Sequence, residues 1–412
     1  MTGAVVIVGS GQAGLQVGLS LREAGYAGRV TIVGDEPGLP YQRPPLSKAY
    51  LLGKIDDEGL RLRQQSVLTE QQIDLLAPER VAAIDRVRRV VRLGSGGELT
   101  FDHLVLATGA RNRMLSVPGN GLDGIVSLRT LADARLLRTR LLAARRVAVV
   151  GAGFIGLEFA AVASARGVEV HVLEAAPRIM ARAVSPEMSA YFLGRHAERG
   201  VTISLDAAVT EFVGQDGRVA GVRTANSAIV AADLVLVGIG VQPNDEIASA
   251  AGLPVENGVL VDAHLVTADP AISAIGDCAA HPNAFGDGLV RLESVQNAVD
   301  QARTVAARIT GHPEPYRAVP WFWSDQGPNK LQIAGLTAGA EVRIAKRDEA
   351  TGRFMVFCFR QGRFSGLETV NRPADHMAAR KLLGGHRSLT PAQVEAETFS
   401  LKDFLVSHPV AA

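Results

Sequence analysis

Six glycines and two carboxylates stand at a spacing that suits one kind of chemistry, the binding of dinucleotides. Gly9, Gly11 and Gly14 follow the apolar run "AVVIV" and lead into "LQVGLSLREAGY", whose apolar residues recur at helical spacing. The next apolar run, "RVTIVGDE", carries Asp35, twenty-one residues after Gly14. Gly151, Gly153 and Gly156 repeat the pattern: "LEFAAVASARG" follows, and "VEVHVLEAAPR" carries Glu174, eighteen residues past Gly156. Glycine lets a backbone approach a pyrophosphate, the first amides of the following helix face its charge, and the acidic side chain accepts the ribose hydroxyls. One such match would be weak in a chain with 43 glycines, since tight turns of an ordinary α/β sheet also use it. Two complete strand–loop–helix–strand units predict two adenine dinucleotides on one chain. A hydride donor and a flavin are the natural couple, because nicotinamide gives up two electrons together and a flavin can release them singly. Glu158 lies two residues past Gly156, in the first turn of an otherwise apolar helix, where an inward carboxylate is costly without a partner.

The rest of the chain must position these residues. Its 412 residues exceed one ordinary core, so two or three domains are expected. Hydrophobic residues at 47% and charged residues at 21% describe a globular protein, and a net charge of +1 gives no reason to expect nucleic acid. No run of eighteen apolar residues predicts a membrane span. The first apolar run has no basic flank and ends in a glycine loop that cleavage would destroy, so the chain reads as cytoplasmic without a signal peptide. Only Cys278 and Cys358 occur, and the nine histidines form no HxxxH or HExxH pair, so neither a disulfide framework nor a metal site is expected. Arg86, Arg88, Arg89 and Arg92 fall in "VAAIDRVRRVVRL", which reads as a solvated hairpin rather than a binding patch.

Longer motifs add a family resemblance. "FDHLVLATGARNR" (101–113), "TADPAISAIGDCA" (267–279) and the two glycine loops resemble the two-dinucleotide-binding flavoprotein reductases. Within them, "YQRPPLSKAYL", "GAGFIGLEFA", "RLESVQNAVDQAR" and "PWFWSDQ" resemble the FAD-dependent NADH:ferredoxin reductases (putidaredoxin reductase-like) of bacterial cytochrome P450 and ring-hydroxylating oxygenase systems. The resemblance covers nearly the whole chain. It implies that the N-terminal loop, with Gly9, Gly11, Ala13, Gly14 and Asp35, holds FAD. Arg43, Lys48, Val81, Arg129 and the turn of Ala107, Thr108 and Gly109 would join it. So would Asp277 at the ribityl chain, Val295 at a helix start, and Trp323 beside the flavin ring, with Trp321 left as core. NADH would be held by Gly151, Gly153, Ile155, Gly156, Glu158, Glu174 and Gly240. Lys48 and Glu158 would meet beside the flavin as the catalytic pair. The plainer alternative makes Glu158 a helix-start charge and Lys48 a solvated side chain.

Many relatives of this architecture pass electrons to a disulfide or a reactive cysteine in the stretch that here reads "YQRPPLSKAYLLGK". No cysteine precedes Cys278, so electrons must leave from the flavin edge, and both cysteines read as small buried residues. The helix expected from Val295 could stabilise charge on a reduced flavin or simply cover the domain. Arg303, about two turns or 12 Å along it, with Lys330 and Lys402, is a candidate for docking an acidic [2Fe-2S] ferredoxin.

The expected architecture is α/β, with two Rossmann-like dinucleotide-binding domains of glutathione reductase-like kind and a C-terminal α+β domain. FAD-binding segments are expected at 1–113 and 243–320, the NADH-binding domain at 114–242, and the α+β domain at 321–412. The resulting activity is transfer from NADH through FAD to a ferredoxin serving a cytochrome P450 or related oxygenase. An NADH oxidase using dioxygen or a quinone, and an NADH-sensing redox switch, remain the alternatives.

Overall fold

The computed structural model describes residues 3–348, 351–385, 388–396 and 398–407. The chain divides into two compact units, one of Met1–Gln42, Asp57–Arg111 and Val241–Pro320, the other of Arg43–Asp56, Asn112–Gly240 and Trp321–Ala412. Among the described residues, no helix is long and apolar enough to cross a membrane.

In the first unit a five-stranded parallel sheet runs in the order Ile272–Ala274, His103–Leu106, Ala4–Val8, Arg29–Val33, Ile73–Leu76. Its central strands are buried on both faces, which explains why "AVVIV" and "HLVL" show no polar alternation. Each fully buried valine or isoleucine there contributes roughly 1.5–3 kcal/mol. The helix Gln12–Glu23 packs along the helix Val295–Ile309, whose buried Ala298, Ala302, Val305, Ala306 and Ile309 recur at intervals of three and four. The "VAAIDRVRRVVRL" run forms the antiparallel pair Val81–Asp85 and Val90–Leu93, turned at Arg89 with φ 53°. Arg86 is not solvated freely there, because it pairs with Asp269 at 2.9 Å.

The second unit repeats the arrangement. Its parallel sheet runs Ile125–Val126, Leu234–Val237, Arg146–Val150, Glu169–Leu173, Val201–Ser204, so each glycine-loop strand has the same kind of neighbours in the same order. A five-stranded antiparallel sheet follows, in the order Trp321–Gln326, Asn329–Gly335, Arg363–Val370, Arg353–Arg360, Val342–Asp348. "FMVFCF" does not alternate in burial, because helix Pro373–Gly384 shares one core with Phe357 and Phe359 while helix Pro186–Ala197 also meets this strand. Residues 43–56, inside the stretch expected for the first FAD segment, pack with this unit. Leu46, Tyr50 and Leu51 are buried in it, and the Arg138 guanidinium lies 4.5 Å from the Tyr50 ring centre.

Candidate functional site

Both glycine loops share one geometry. The first glycine takes a left-handed backbone, φ 115° at Gly9 and 99° at Gly151, and a Cβ there would stand 2.1 Å from the Ala107 carbonyl oxygen or 2.5 Å from that of Gly238. A Cβ on Gly14 or Gly156 would stand 1.9 or 2.2 Å from the carbonyl oxygen of that first glycine. Side chains at these four positions would force the backbone apart. The middle glycines differ: nothing lies within 4 Å of a Cβ on Gly11, and for Gly153 the nearest atom is the Gly238 carbonyl oxygen at 3.9 Å. Gly11 and Gly153 also cap the helices Gln12–Glu23 and Phe154–Ala165 without any side-chain bond. Thr130, Ser185 and Ser294 cap theirs with hydroxyls. Open backbone and uncapped amides at both loops fit a pyrophosphate.

Around the first loop, the exposed Asp35 follows the strand Arg29–Val33. Thr108 donates its hydroxyl to the Asn244 carbonyl at 2.6 Å, and the Asn244 amide donates back to the Thr108 carbonyl at 2.9 Å, which fixes the Ala107–Gly109 turn. A Cβ on Gly276 would lie 3.3 Å from the Ala13 methyl, so the Asp277 turn adjoins this loop. Arg291 holds the Asp277 carbonyl at 2.9 Å. Val295 is the first residue of its helix and Val81 the first of its strand. Arg303 is 62% exposed and reaches Asp300 at 3.3 Å.

Around the second loop, Glu174 accepts from the Ala152 amide at 2.6 Å and from the Ala176 amide at 2.8 Å, so it braces the loop as well as standing at its edge. Arg178 is spent on the Val184 carbonyl (2.7 Å), the Ala181 carbonyl and the Ser189 hydroxyl (2.9 Å). Arg182 is exposed and lies against Gly240. Ile155 presents an apolar side chain that is 41% exposed. In the same unit Arg43 donates to the Arg129 carbonyl at 2.8 Å, bringing those two together. Lys330 and Lys402 are exposed on it.

Lys48 and Glu158 do meet. The Lys48 ammonium stands 2.9 Å from Glu158 Oε1, with the glutamate 3% and the lysine 16% exposed. The helix begins at Phe154, because Gly153 already serves as its cap, so Glu158 sits in the second turn rather than the first. That weakens the helix-start account, since dipole effects fade after the first turn. Ser47 donates to Glu158 Oε2 at 2.5 Å and Ser324 to Oε1 at 2.6 Å. Burial raises the Glu158 carboxyl above its ordinary range, and the Lys48 charge and the hydroxyls oppose that rise. Asp325 stands 4.0 Å from Lys48. The strand Trp321–Gln326 supplies alternate residues to this spot: Phe322 packs on Phe154 with ring centres 4.5 Å apart, and Ser324 meets Glu158. Trp323 is half-buried, 5.5 Å from Trp321 between ring centres. Trp321 is half-buried rather than core, with the Arg380 guanidinium 4.6 Å from its ring centre.

Sequence reasoning missed Ser47, Ser324, Gln326, His196 and Asn244. Period-two alternation through "WFWSDQ" held the signal for Ser324 and Gln326, which share a face with Phe322. Both cysteines are buried and free, and burial pushes each thiol up from its ordinary value.

Residues 3–302 match the family model of pyridine nucleotide-disulphide oxidoreductases, and residues 321–405 match the reductase C-terminal model. Rhodocoxin reductase of Rhodococcus erythropolis is 51% identical over 404 residues, spanning 98% of this chain and 95% of that one. The ferredoxin reductase for the CYP199A2 system from Rhodopseudomonas palustris superposes with a TM-score of 0.95 at 50% identity, over 97% of this chain and 99% of that one. The reductase in the covalent putidaredoxin reductase–putidaredoxin complex does so with a TM-score of 0.95 at 40% identity, over 98% of both chains. With two matching loops, a lysine paired with a buried glutamate and an antiparallel C-terminal sheet, the chain belongs to the pyridine nucleotide-disulphide oxidoreductase family, among its ferredoxin reductases.

Proposed function

We propose that this chain is an FAD-dependent NADH:ferredoxin reductase whose acceptor is a [2Fe-2S] ferredoxin serving a cytochrome P450 or related oxygenase. The observation that carries this reading is the duplicated open glycine loop in a chain whose only two thiols are buried. FAD, when bound, takes two electrons as hydride from NADH and gives them up singly. Gly9, Gly11, Ala13, Gly14 and Asp35 would hold it, with Arg43, Lys48, Val81, the Ala107–Gly109 turn, Arg129, Asp277, Val295 and Trp323. Asp35 implies FAD rather than FMN, because an acidic side chain at the strand end suits an adenosine ribose that FMN lacks.

Gly151, Gly153, Ile155, Gly156, Glu174 and Gly240 would hold NADH. Glu174 disfavours a 2′-phosphate by charge, and Arg178 is already committed to local carbonyls and so gives that phosphate no free cation. NADH is therefore preferred to NADPH, which comparison of kcat/KM for the two reductants checks. Among the described residues Glu158 has three donors on four acceptor positions, and the second position on Oε2 would take the nicotinamide carboxamide. Catalysis on this reading is positioning, and it operates in the cytoplasm, where NADH is supplied. Arg303, Lys330 and Lys402 serve the ferredoxin.

Anaerobic stopped-flow mixing with NADH, followed by a [2Fe-2S] ferredoxin or by oxygen, tests the assignment. Fast flavin reduction with fast ferredoxin reduction and slow reaction with oxygen is the expected result. Faster reoxidation by oxygen than by any ferredoxin would make the protein an oxidase.

A further inference from the structure

Glu158 is the end of a longer buried chain. Ser324 donates to it at 2.6 Å, Gln326 Nε2 stands 3.3 Å from the Ser324 hydroxyl oxygen, and Gln326 Oε1 stands 2.8 Å from His196 Nε2. All are buried: Ser324 is 0%, Gln326 1% and His196 2% exposed. The direction of each bond is fixed by elimination. Gln326 Nε2 faces two acceptors, the Ser324 oxygen and the Met180 sulfur at 3.4 Å, so Gln326 Oε1 must accept from His196. His196 then carries its proton on Nε2, in keeping with Nδ1, which has no partner among the described residues. Burial, with Arg199 adding to it, holds the imidazole below its ordinary value and hence neutral.

Packing alone does not call for this arrangement. Two residues earlier on the same strand face, Phe322 fills the equivalent place against Phe154 with no polar atom. A buried run of serine, glutamine and histidine costs desolvation that phenylalanine avoids, and that cost is offset where each donor meets an acceptor and the run ends on a carboxylate. We propose that His196, Gln326 and Ser324 form a one-way donor chain that orients the Glu158 carboxylate and opposes its protonation, making Ser324 a positioning residue of the nicotinamide site. This rests on the assignment of Glu158 to the nicotinamide. The charged and titratable groups around the chain are Lys48 against Glu158, Asp325 beside Lys48, and Arg199 near His196.

The test is made on the FAD-loaded protein labelled with carboxyl-13C glutamate and 15N histidine. Glu158 and His196 are identified by the signals lost in Glu158→Gln and His196→Gln. Ser324→Ala is expected to raise the Glu158 titration midpoint by about one pH unit, the scale of one hydrogen bond to a carboxylate. Ser324→Thr, which keeps the hydroxyl, restores it, and Gln326→Leu gives a smaller rise. In the unaltered protein His196 is neutral with its proton on Nε2, a readout that needs no variant to fold. An unmoved midpoint in Ser324→Ala, or a His196 proton on Nδ1, overturns the chain. A moved midpoint with normal NADH reduction in Glu158→Gln upholds the chain and removes Glu158 from the nicotinamide site. Slow reduction in Glu158→Gln with an unmoved midpoint in Ser324→Ala does the reverse.

Discussion

At the scale of single residues, charge burial decides what can be tested. Glu158 is held by three donors, and Glu158→Gln keeps its shape while removing the charge. Reduction of the flavin by NADH should slow about tenfold or more, equivalent to one interaction of roughly 1.4 kcal/mol, while FAD stays bound. Lys48→Ala should impair the same step and leave a buried carboxylate without its cation. Wild-type single-turnover rates in both variants would make the pair structural. His376 carries a different lesson. It is 1% exposed, Arg380 lies near it, and burial followed by that charge lowers its pKa from 6.5 to about 4. The folded protein therefore binds this proton only near pH 4 and the unfolded chain already near 6.5, so the stabilisation is whole above 6.5 and is lost as pH falls through 4. At about 1.4 kcal/mol per unit, His376→Phe should remove up to roughly 3 kcal/mol of acid sensitivity. Thermal unfolding of the holoprotein between pH 7 and 4 checks this, and parallel curves for the two proteins would contradict it.

At the scale of elements, the two loop helices look alike, yet their glycines should separate by ligand. A Cβ at Gly14 would meet the Gly9 carbonyl at 1.9 Å, and one at Gly156 the Gly151 carbonyl at 2.2 Å. Gly14→Ala is expected to yield protein depleted of FAD. Gly156→Ala should stay yellow and bind NADH at least tenfold more weakly, a loss of about 1.4 kcal/mol. Absorbance and NADH titration read the two outcomes, and loss of FAD in both would deny the division of labour. These loops were legible in the sequence because each is a local device, complete within about thirty residues. The helix from Val295 was legible for the same reason, with Ser294 as its cap. The surroundings of Glu158 were not. Ser324 reaches it across 166 residues of sequence and Ser47 across 111, and nothing local to either serine announces the contact. The placement of 43–56 with the second unit escaped notice likewise, since it follows from the burial of Leu46, Tyr50 and Leu51 rather than from any spacing.

At the scale of the whole molecule, a net charge of +1 offers no general attraction to an acidic partner. Recognition of a ferredoxin must then come from local charge, which acts mainly on the rate of encounter and is screened within about 10 Å at 0.1 M salt. Arg303 is the candidate that lies on the helix from Val295. It stands eight residues beyond Val295 on a helix of 1.5 Å rise per residue, hence about 12 Å from the start assigned to FAD. Its side chain is 62% exposed, and among the described residues it pairs with Asp300, in the preceding turn of the same helix. Arg303→Glu should lower the association rate with an acidic [2Fe-2S] ferredoxin about tenfold at low ionic strength and flatten its dependence on salt. Hydride transfer from NADH should not change, because the substitution touches neither glycine loop. Lys330→Glu and Lys402→Glu, made separately on the other unit, should give smaller effects of the same sign. Stopped-flow reduction of ferredoxin from low to high salt measures all three. An Arg303→Glu protein whose rate matches the unaltered protein at every salt concentration would move the docking face off this helix.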